Sequence, residues 1–472
     1  MSDGGRGPAA LLAALFLAGA LGWAALLSAD GRLLSGPAAA VEDWPKEFRY
    51  AAVLQQAVRE VRLPLYVSRP ILTGRKLLAV PELNCAPPVL LLAWMSPARF
   101  LVVDTLLYYA LGCGGLLLLR RRFSLGLLPT AFLFLAFFFN GHLVAHLTVG
   151  HSMWAAQFLL PFFVLGVLEL IAAEDVRARR TPVLLALVLF AMLLRGGVHL
   201  FAWCVLFLVV LGAANPRRAG AVLRTLAWSL ALGAVRLLPA AFLARHREQA
   251  FLSGFPSPLT LAQALLTVRD AAEPLRGGFF GQLNWWEYDT YLGPVLLAVL
   301  LGFGLVLYRR HALPGGAERG LLGPMAVLAG LSLGDSALLL SLSPLPLLNA
   351  ERVGARLLLL PVVFLATVAA LRLQAWSGAR PRPAWTAPLL GLAWVGAAVP
   401  IALHALAWRM TRLQQIVPAR RALMNVELAA PPPLLGDDLA YVVVVGVAAA
   451  VSVAALAAAL VSLRRRPAPL AG

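Results

Sequence analysis

The sequence predicts an all-α membrane protein that crosses the bilayer about twelve times. Three observations carry that prediction. Hydrophobic residues make up 61% of the 472-residue chain. Charged residues make up only 13%, where a soluble globule carries roughly 25%. Apolar runs of bilayer length recur from end to end, and mean hydropathy is +0.82. A disordered chain, a secreted globule and a cytosolic enzyme are all excluded. The formal charge of +18 is not a nucleic-acid footprint. It comes almost wholly from arginine, since Lys46 and Lys76 are the only lysines, and many of the arginines cluster between apolar runs, where topology determinants belong. Cys85, Cys113 and Cys204 form no CxxC pair and leave an odd count, which supports neither a disulfide frame nor a zinc site.

A spanning helix needs about 20 mostly apolar residues. That length places spans near 9–29, 98–119, 126–146, 152–172, 181–196, 198–214, 222–243, 290–308, 320–341, 355–372, 385–407 and 440–463, in one integral membrane domain. The first follows a stretch holding only Arg6, and Leu27-Ser28-Ala29 is a poor cleavage site, so it reads as retained. The pair 181–196 and 198–214 is short and tight, leaving room for one of them to be re-entrant.

The clusters Arg120-Arg121-Arg122, Arg179-Arg180, Arg217-Arg218, Arg309-Arg310, Arg380 with Arg382, and Arg464-Arg465-Arg466 all fall on one side, with both termini. By the positive-inside rule that side is the cytoplasm. The long connections 30–97, 244–289 and 408–439 then face outward. Seventeen of the 22 acidic residues lie in them or near the outer ends of spans. A transporter usually keeps its chemistry near the midplane. Here the polar chemistry is expected above the outer leaflet.

The first of these loops starts with a helix. Asp43 can cap it, Trp44 and Pro45 suit its first turn, and Glu47 suits the positive end of the dipole. Trp44, Phe48, Ala51, Leu54, Val58 and Val61 then recur at steps of three and four, with charged residues on the other faces. Such a helix lies flat on a membrane surface. The apolar stretch Pro87 to Trp94 is too short to span and is expected to dip into the interface.

Beyond that helix come Leu63-Pro64-Leu65-Tyr66, Gly74, Ala79-Val80-Pro81-Glu82 and Pro87-Pro88-Val89-Leu90-Leu91. Further on lie Asn140-Gly141-His142 with Val149-Gly150-His151, and Gly196-Gly197-Val198-His199. Trp286-Glu287-Tyr288 with Tyr291-Leu292-Gly293 and Arg352-Val353-Gly354-Ala355-Arg356 complete the series. In order and placement, over roughly residues 10–375, these segments resemble GT-C-type membrane glycosyltransferases, and most closely the YfhO-like bacterial membrane proteins. Tyr66 stands where an aromatic Trp is usual, and Gly354-Ala355 replaces a typical Pro-Ser.

The resemblance implies transfer of a sugar from a polyprenyl-phosphate carrier to an acceptor outside a bacterial inner membrane. Envelope glycans, lipids and proteins are all open as acceptors, and no cofactor is called for. A lipid phosphate is already a good leaving group. One carboxylate near the membrane surface can deprotonate the acceptor hydroxyl, a contribution of about 10²–10⁴-fold. Arginines hold phosphate in a bidentate manner, and an apolar groove must hold the prenyl tail.

Asp43 matches the family's first-loop acidic position and is the expected base, with a simple helix cap, natural for an Asp before Trp-Pro, as the bland alternative. Glu42 is the reserve candidate, pointing elsewhere because successive helical residues diverge by about 100°. Arg352 and Arg356, four apart, would share a helix face and either grip the carrier phosphate or anchor to headgroups. Arg195 and Arg236 lie within apolar runs, where charges are functional candidates. Arg236 is counted among the substrate-binding groups, with Asp104 or Asp335 as a candidate partner. His142, His146 and His151 cluster at one outer turn. With no HExxH pattern and no nearby carboxylate in sequence, substrate hydrogen bonding or polar packing is favoured over metal. His199 is of the same kind. Around Trp285-Trp286-Glu287-Tyr288-Asp289, either the aromatics form an interfacial belt or Glu287 faces a sugar. The competing functional classes are a twelve-span transporter or flippase for lipid-linked precursors, although no internal repeat is visible, and an inactive GT-C-like scaffold.

Overall fold

The computed structural model describes residues 6–38, 42–71, 74–172, 177–244, 253–268, 274–277, 281–306, 313–341, 351, 353–378, 383–414 and 426–464. The chain opens with α1 (Arg6–Leu27), and the first loop carries α2 (Trp44–Arg59), β1 (Tyr66–Ile71), β2 (Gly74–Lys76) and 3₁₀ turns at Leu77–Ala79 and Pro87–Ala93. Then come α3 (Pro97–Arg122), α4 (Leu127–Phe138) and α5 (Gly141–Thr148). A 3₁₀ segment Ser152–Leu159 runs into α6 (Leu160–Ala172), followed by α7 (Arg177–Leu194), α8 (Val198–Ala214) and α9 (Pro216–Ala244). The second long loop holds α10 (Pro258–Leu266) and the hairpin β3 (Pro274–Gly277) and β4 (Gly281–Asn284). After α11 (Pro294–Leu301), α12 (Leu322–Leu331) and α13 (Leu338–Ser341), a 3₁₀ turn Gly354–Leu358 leads into α14 (Leu359–Gly378). Last are α15 (Thr386–Gln414), β5 (Leu428–Ala429) and α16 (Asp437–Arg464).

Among the described residues, eight helices are long and apolar enough to cross a membrane, with shorter apolar ones at 180–194, 198–214 and 294–306. The expected count of about twelve is therefore not reproduced. The predicted span 320–341 breaks after Leu331, where Ser332 and the positive-φ Gly334 turn the chain into the four-residue α13. The predicted span 126–146 matches one of the eight, Leu127–Thr148, with a break in its helix at Asn140. Asn140 leaves the helix, accepts a hydrogen bond from the Leu143 amide, and so caps α5 as a new helix.

Short strands in the loops are the main departure from an all-α reading. β1 pairs antiparallel with β2, and also with β5 through Tyr66↔Ala429 and Val67↔Leu428. That pairing knits the first and last long loops into one layer. Tyr66 and Tyr441 meet edge-on at 5.5 Å, the Tyr66 hydroxyl reaches Asp438, and Leu27 packs in one apolar cluster with Trp44 and Val67. So α1 ends on this layer and α16 starts from it. Beneath lies a core rich in aromatics from α3, α4 and the Ser152–Leu159 turn. Gly112 lets α3 approach that turn, since a Cβ there would stand 2.5 Å from the Phe158 carbonyl oxygen. Close packing of this kind holds spans together where lipid is as apolar as leucine.

Arg195 and Arg236, the two arginines noted within apolar runs, both serve the layer. Arg195 is 1% exposed, with Nη2 2.8 Å from Asp104 Oδ2, off the N–H direction, so charge more than a directed hydrogen bond holds the pair. Asp104 also accepts from Asn84 of the first loop. Arg236 pairs with neither Asp104 nor Asp335, contrary to expectation. Its guanidinium donates instead to the carbonyl oxygens of Leu78, Val80, Pro81 and Leu83 at 2.7–3.2 Å.

Candidate active site

The site begins where α2 starts. Asp43 has near-helical dihedrals (φ −84°, ψ −3°), and its side chain makes no capping hydrogen bond. The main chain is docked instead on the turn after α5. The Asp43 amide donates to Val149 O and the Trp44 indole donates to Thr148 O. Gly150 makes the approach possible. It has φ +97°, and a Cβ there would sit 2.5 Å from the Trp44 nitrogen.

This docking sets His151 against Asp43, with Nε2 3.0 Å from Oδ2. Lys46 Nζ donates to the same oxygen at 3.0 Å. One carboxylate oxygen is thus pinned twice, while Oδ1 has no hydrogen bond among the described residues and the side chain stays 44% exposed. Lys46 also reaches Glu82 at 3.2 Å and lies 3.9 Å from Glu47. Tyr50 donates to Glu82, and Ser152 donates to Glu47.

From His151 the contacts run inward. Its Nδ1 lies 2.7 Å from His146 Nδ1, and His146 Nε2 lies 3.9 Å from Glu287. Glu287 forks onto Arg356 at 2.6 and 2.7 Å. The Arg356 guanidinium lies over the Trp154 ring at 5.6 Å. Trp154 touches the rings of His142 at 4.6 Å and Trp203 at 5.0 Å, and stacks on His199 at 6.2 Å. His199 and the Trp203 indole hold Glu351 at 3.0 and 2.7 Å, and His142 bonds Gln157.

The protonation of the histidine pair follows from the partners. An ionised carboxylate only accepts, so His151 Nε2 carries a hydrogen. A neutral His151 then accepts at Nδ1, His146 must donate from its own Nδ1, and His146 Nε2 is left as a bare acceptor. That atom is buried and unpartnered.

Electrostatics sharpen the picture. Burial pushes the Asp43 carboxyl up, but the His151 hydrogen bond and the Lys46 charge together hold it well below the usual carboxylate range. Burial would discharge Lys46, yet Glu82, Glu47 and Asp43 outweigh it and raise its pKa. Glu47 is pushed up to about 7, first by burial and then by Glu82. Partial desolvation raises Glu42 as well, helped by its neighbour Asp43. Glu351 is held at about 2, because His199 and Arg356 overcome its burial.

The predicted residues therefore fall into three groups. Asp43, His151, His146, Glu287, Arg356, His142 and His199 converge on one connected cluster. Glu42 is exposed with φ +44° and takes no part in its hydrogen bonds. Arg236 is 4% exposed and committed to four carbonyl groups, which makes it a support of the Glu82 loop. Arg352 lies outside the described residues. Arg356 itself sits in a 3₁₀ turn that follows the non-helical Val353. The interfacial-belt reading fails for Trp285 and Tyr288, which are buried at 1% and 0% exposure. Among the described residues no group of three or more His, Cys, Asp or Glu is arranged to hold a metal ion.

Lys46, Glu82, Glu351 and Trp154 were not singled out from sequence. Lys46 and Glu82 carried a signal: one is among only two lysines, and the other closes a motif already noted. Glu351 and Trp154 carried none, because their importance lies in contacts between distant segments.

The helical bundle with its layer of long loops defines a membrane protein of GT-C-type fold. No family model matches the chain, and no curated protein matches it. Among solved structures it is similar to the mycobacterial arabinofuranosyltransferase AftD, determined by single-particle cryo-EM, with a TM-score of 0.50 and 17% identity. The match covers 86% of this chain and 27% of AftD, so the chain spans about a quarter of that protein's length. At that identity the likeness speaks to the fold alone.

Proposed function

We propose that the chain is a membrane glycosyltransferase, related to the YfhO-like proteins. It would transfer a sugar from a polyprenyl-phosphate carrier to an acceptor hydroxyl of an envelope glycan, lipid or protein. Asp43 is the general base, working on the extracytoplasmic side of a bacterial inner membrane. The observation that carries the reading is the state of Asp43: it makes no side-chain cap, stays ionised, and is pinned through Oδ2 by His151 and Lys46 with Oδ1 left to receive a proton. In the reaction the acceptor O–H gives its proton to Asp43, its oxygen bonds to the anomeric carbon, and the bond from that carbon to the carrier phosphate breaks. The depressed pKa makes Asp43 a weak base. That suffices where the sugar carbon is already cation-like in the transition state and the hydroxyl grows acidic only as it attacks. Arg356 and Lys46 supply positive charge for the phosphate, and the fold is one shared with AftD, itself an arabinofuranosyltransferase.

The test is Asp43→Asn in membranes supplied with a panel of polyprenyl-phosphate sugars. Transfer should fall by about 10²–10⁴-fold with unchanged expression and melting temperature. A fully active variant removes Asp43 as the base.

A further inference from the structure

A second carboxylate lies two residues beyond Glu287. Asp289 is 1% exposed and accepts on both oxygens. Oδ1 takes the Tyr291 amide at 3.0 Å, while Oδ2 takes the Trp408 indole at 2.7 Å and His404 Nε2 at 2.8 Å. The amide and the indole only donate, so the carboxylate acts as acceptor throughout and His404 carries its hydrogen on Nε2. The Tyr291 ring stacks on the imidazole at 4.4 Å. His404 and Trp408 stand four apart on one face of α15. That helix packs on α4, α5 and α11 with most of its surface outward, and Ala397, Ile401 and Ala405 on its buried side are apolar. Apolar residues would pack the helix here too, without the cost of burying a carboxylate. The polar clamp needs another reason.

The reason lies in what Asp289 joins. The Tyr288 and Asp289 amides both donate to Trp285 O, which closes the turn carrying Glu287. Tyr291 O accepts from the amide of Gly141, the first residue of α5. A Cβ at Gly141 would stand 2.0 Å from Asp289 Oδ1, so the strap and the helix start meet with no room to spare. α5 in turn carries His142 and His146. One carboxylate thus ties together the two segments that supply Glu287 and the inner histidines. Among the described residues, the polar contacts of His404 and Trp408 end at Asp289 and at each other.

We propose that His404 and Trp408 are positioning residues: by clamping Asp289 they fix the Glu287 turn against α5, and so hold Glu287 where it forks onto Arg356 beside His146. The inference rests on the reading of this cluster as an active site, and it adds the helix that aligns it. Two donors on a rigid helix set a position more closely than a loop does by itself. Once the clamp is loosened, the turn shifts along α5 and Arg356 loses its alignment. A misplacement of about 1 Å can cost about 10²-fold in rate.

The test uses the full chain in nanodiscs. His404→Phe keeps a ring against Tyr291 and removes the donor, and His404→Gln returns an N–H close to the same place. With a lipid-linked sugar that the parent transfers, kcat should fall by about 10- to 100-fold in His404→Phe while KM stays within about twofold. His404→Gln should recover most of that loss. Trp408→Phe, which also keeps a ring, is the second variant should the first fail to fold. Because the clamp acts through Glu287, His404→Phe should slow a Glu287→Gln background by less than about twofold. A structural role alone would lower the melting temperature and leave the kcat of the folded protein unchanged. Amide exchange, read without any substrate, should rise in residues 285–293 and 141–148 while α3 and α14 stay protected. Unchanged kcat in a folded His404→Phe or Trp408→Phe, the full loss repeated on the Glu287→Gln background, or unchanged exchange each overturns the proposal. Should the parent transfer no sugar, exchange decides alone. Asp43→Asn should exchange like the parent, so failure of the clamp and failure of the assigned base are read separately.

Discussion

Glu287 and Arg356, 69 positions apart, form a bidentate pair at 2.6 and 2.7 Å inside the candidate site. Under the proposed function, a carrier phosphate would have to compete with Glu287 for this guanidinium. His146 Nε2 lies 3.9 Å from Glu287 and makes no hydrogen bond of its own.

Breaking one member of this buried pair leaves the other charge uncompensated, which typically costs about 3–5 kcal/mol. Arg356→Met should destabilise by that order, and Glu287→Gln by less, because the amide oxygen still accepts. The double variant should recover part of the loss. Arg356→Lys should not restore activity, since an ammonium cannot reproduce the fork. Melting curves of the single and double variants check the coupling. Additive effects would show that the pair is not an energetic unit.

The Asp43–His151 contact sets a pH expectation. His151 and Lys46 lower the Asp43 pKa, so the carboxylate remains ready at acidic pH. Removing either donor moves that pKa up toward its ordinary value, so the acid limb of the activity profile should shift to higher pH in His151→Ala and Lys46→Met. His151→Gln, which keeps an N–H donor, should shift it less. An unmoved limb in both Ala and Met variants would show that Asp43 ionisation does not govern turnover.

Much of this was legible in the sequence, for reasons that can be stated residue by residue. Apolar runs announce spans because bilayer thickness fixes their length, and α1, α3, α9, α14, α15 and α16 lie near the predicted bounds. Asp43 and the histidines stood out because polar residues are rare in such a chain. Interruptions were less visible. Asn140 reads as one polar residue in an apolar run until its capping bond to Leu143 is seen. β5 is two residues long, and only its pairing with β1 gives it meaning. Arg236 looked like a ligand-binding charge, since nothing local reveals that four carbonyl groups from the first loop converge on it.

Glu47 makes a stability prediction. Its folded pKa of about 7 lies above the ordinary 4.5, so between those values the folded state holds a proton that the unfolded chain has released. Stability should then decline as pH rises from about 4.5 to about 7 and level off above, by on the order of 3 kcal/mol. Glu47→Gln removes the titration while keeping an acceptor for Ser152. Its melting temperature should exceed the parent's at pH 8 and match it near pH 5. A constant difference across that range would place the stabilisation elsewhere than in the Glu47 proton.

The last expectation concerns Arg236, which never approaches the candidate base and still bears on it. Its guanidinium gathers the carbonyl oxygens of Leu78, Val80, Pro81 and Leu83, and so fixes the segment that presents Glu82 to Lys46. Lysine at this position keeps the charge but cannot span four acceptors with a planar fork. In Arg236→Lys, amide exchange should rise in residues 77–86 while α3 and α14 stay protected. A loosened Glu82 no longer orients Lys46, so the acid limb of the activity profile should move upward, in the direction of Lys46→Met but by less. Faster exchange without that movement would make Arg236 a support of the loop and nothing more. A shift without faster exchange would mean that its charge acts on the site through space.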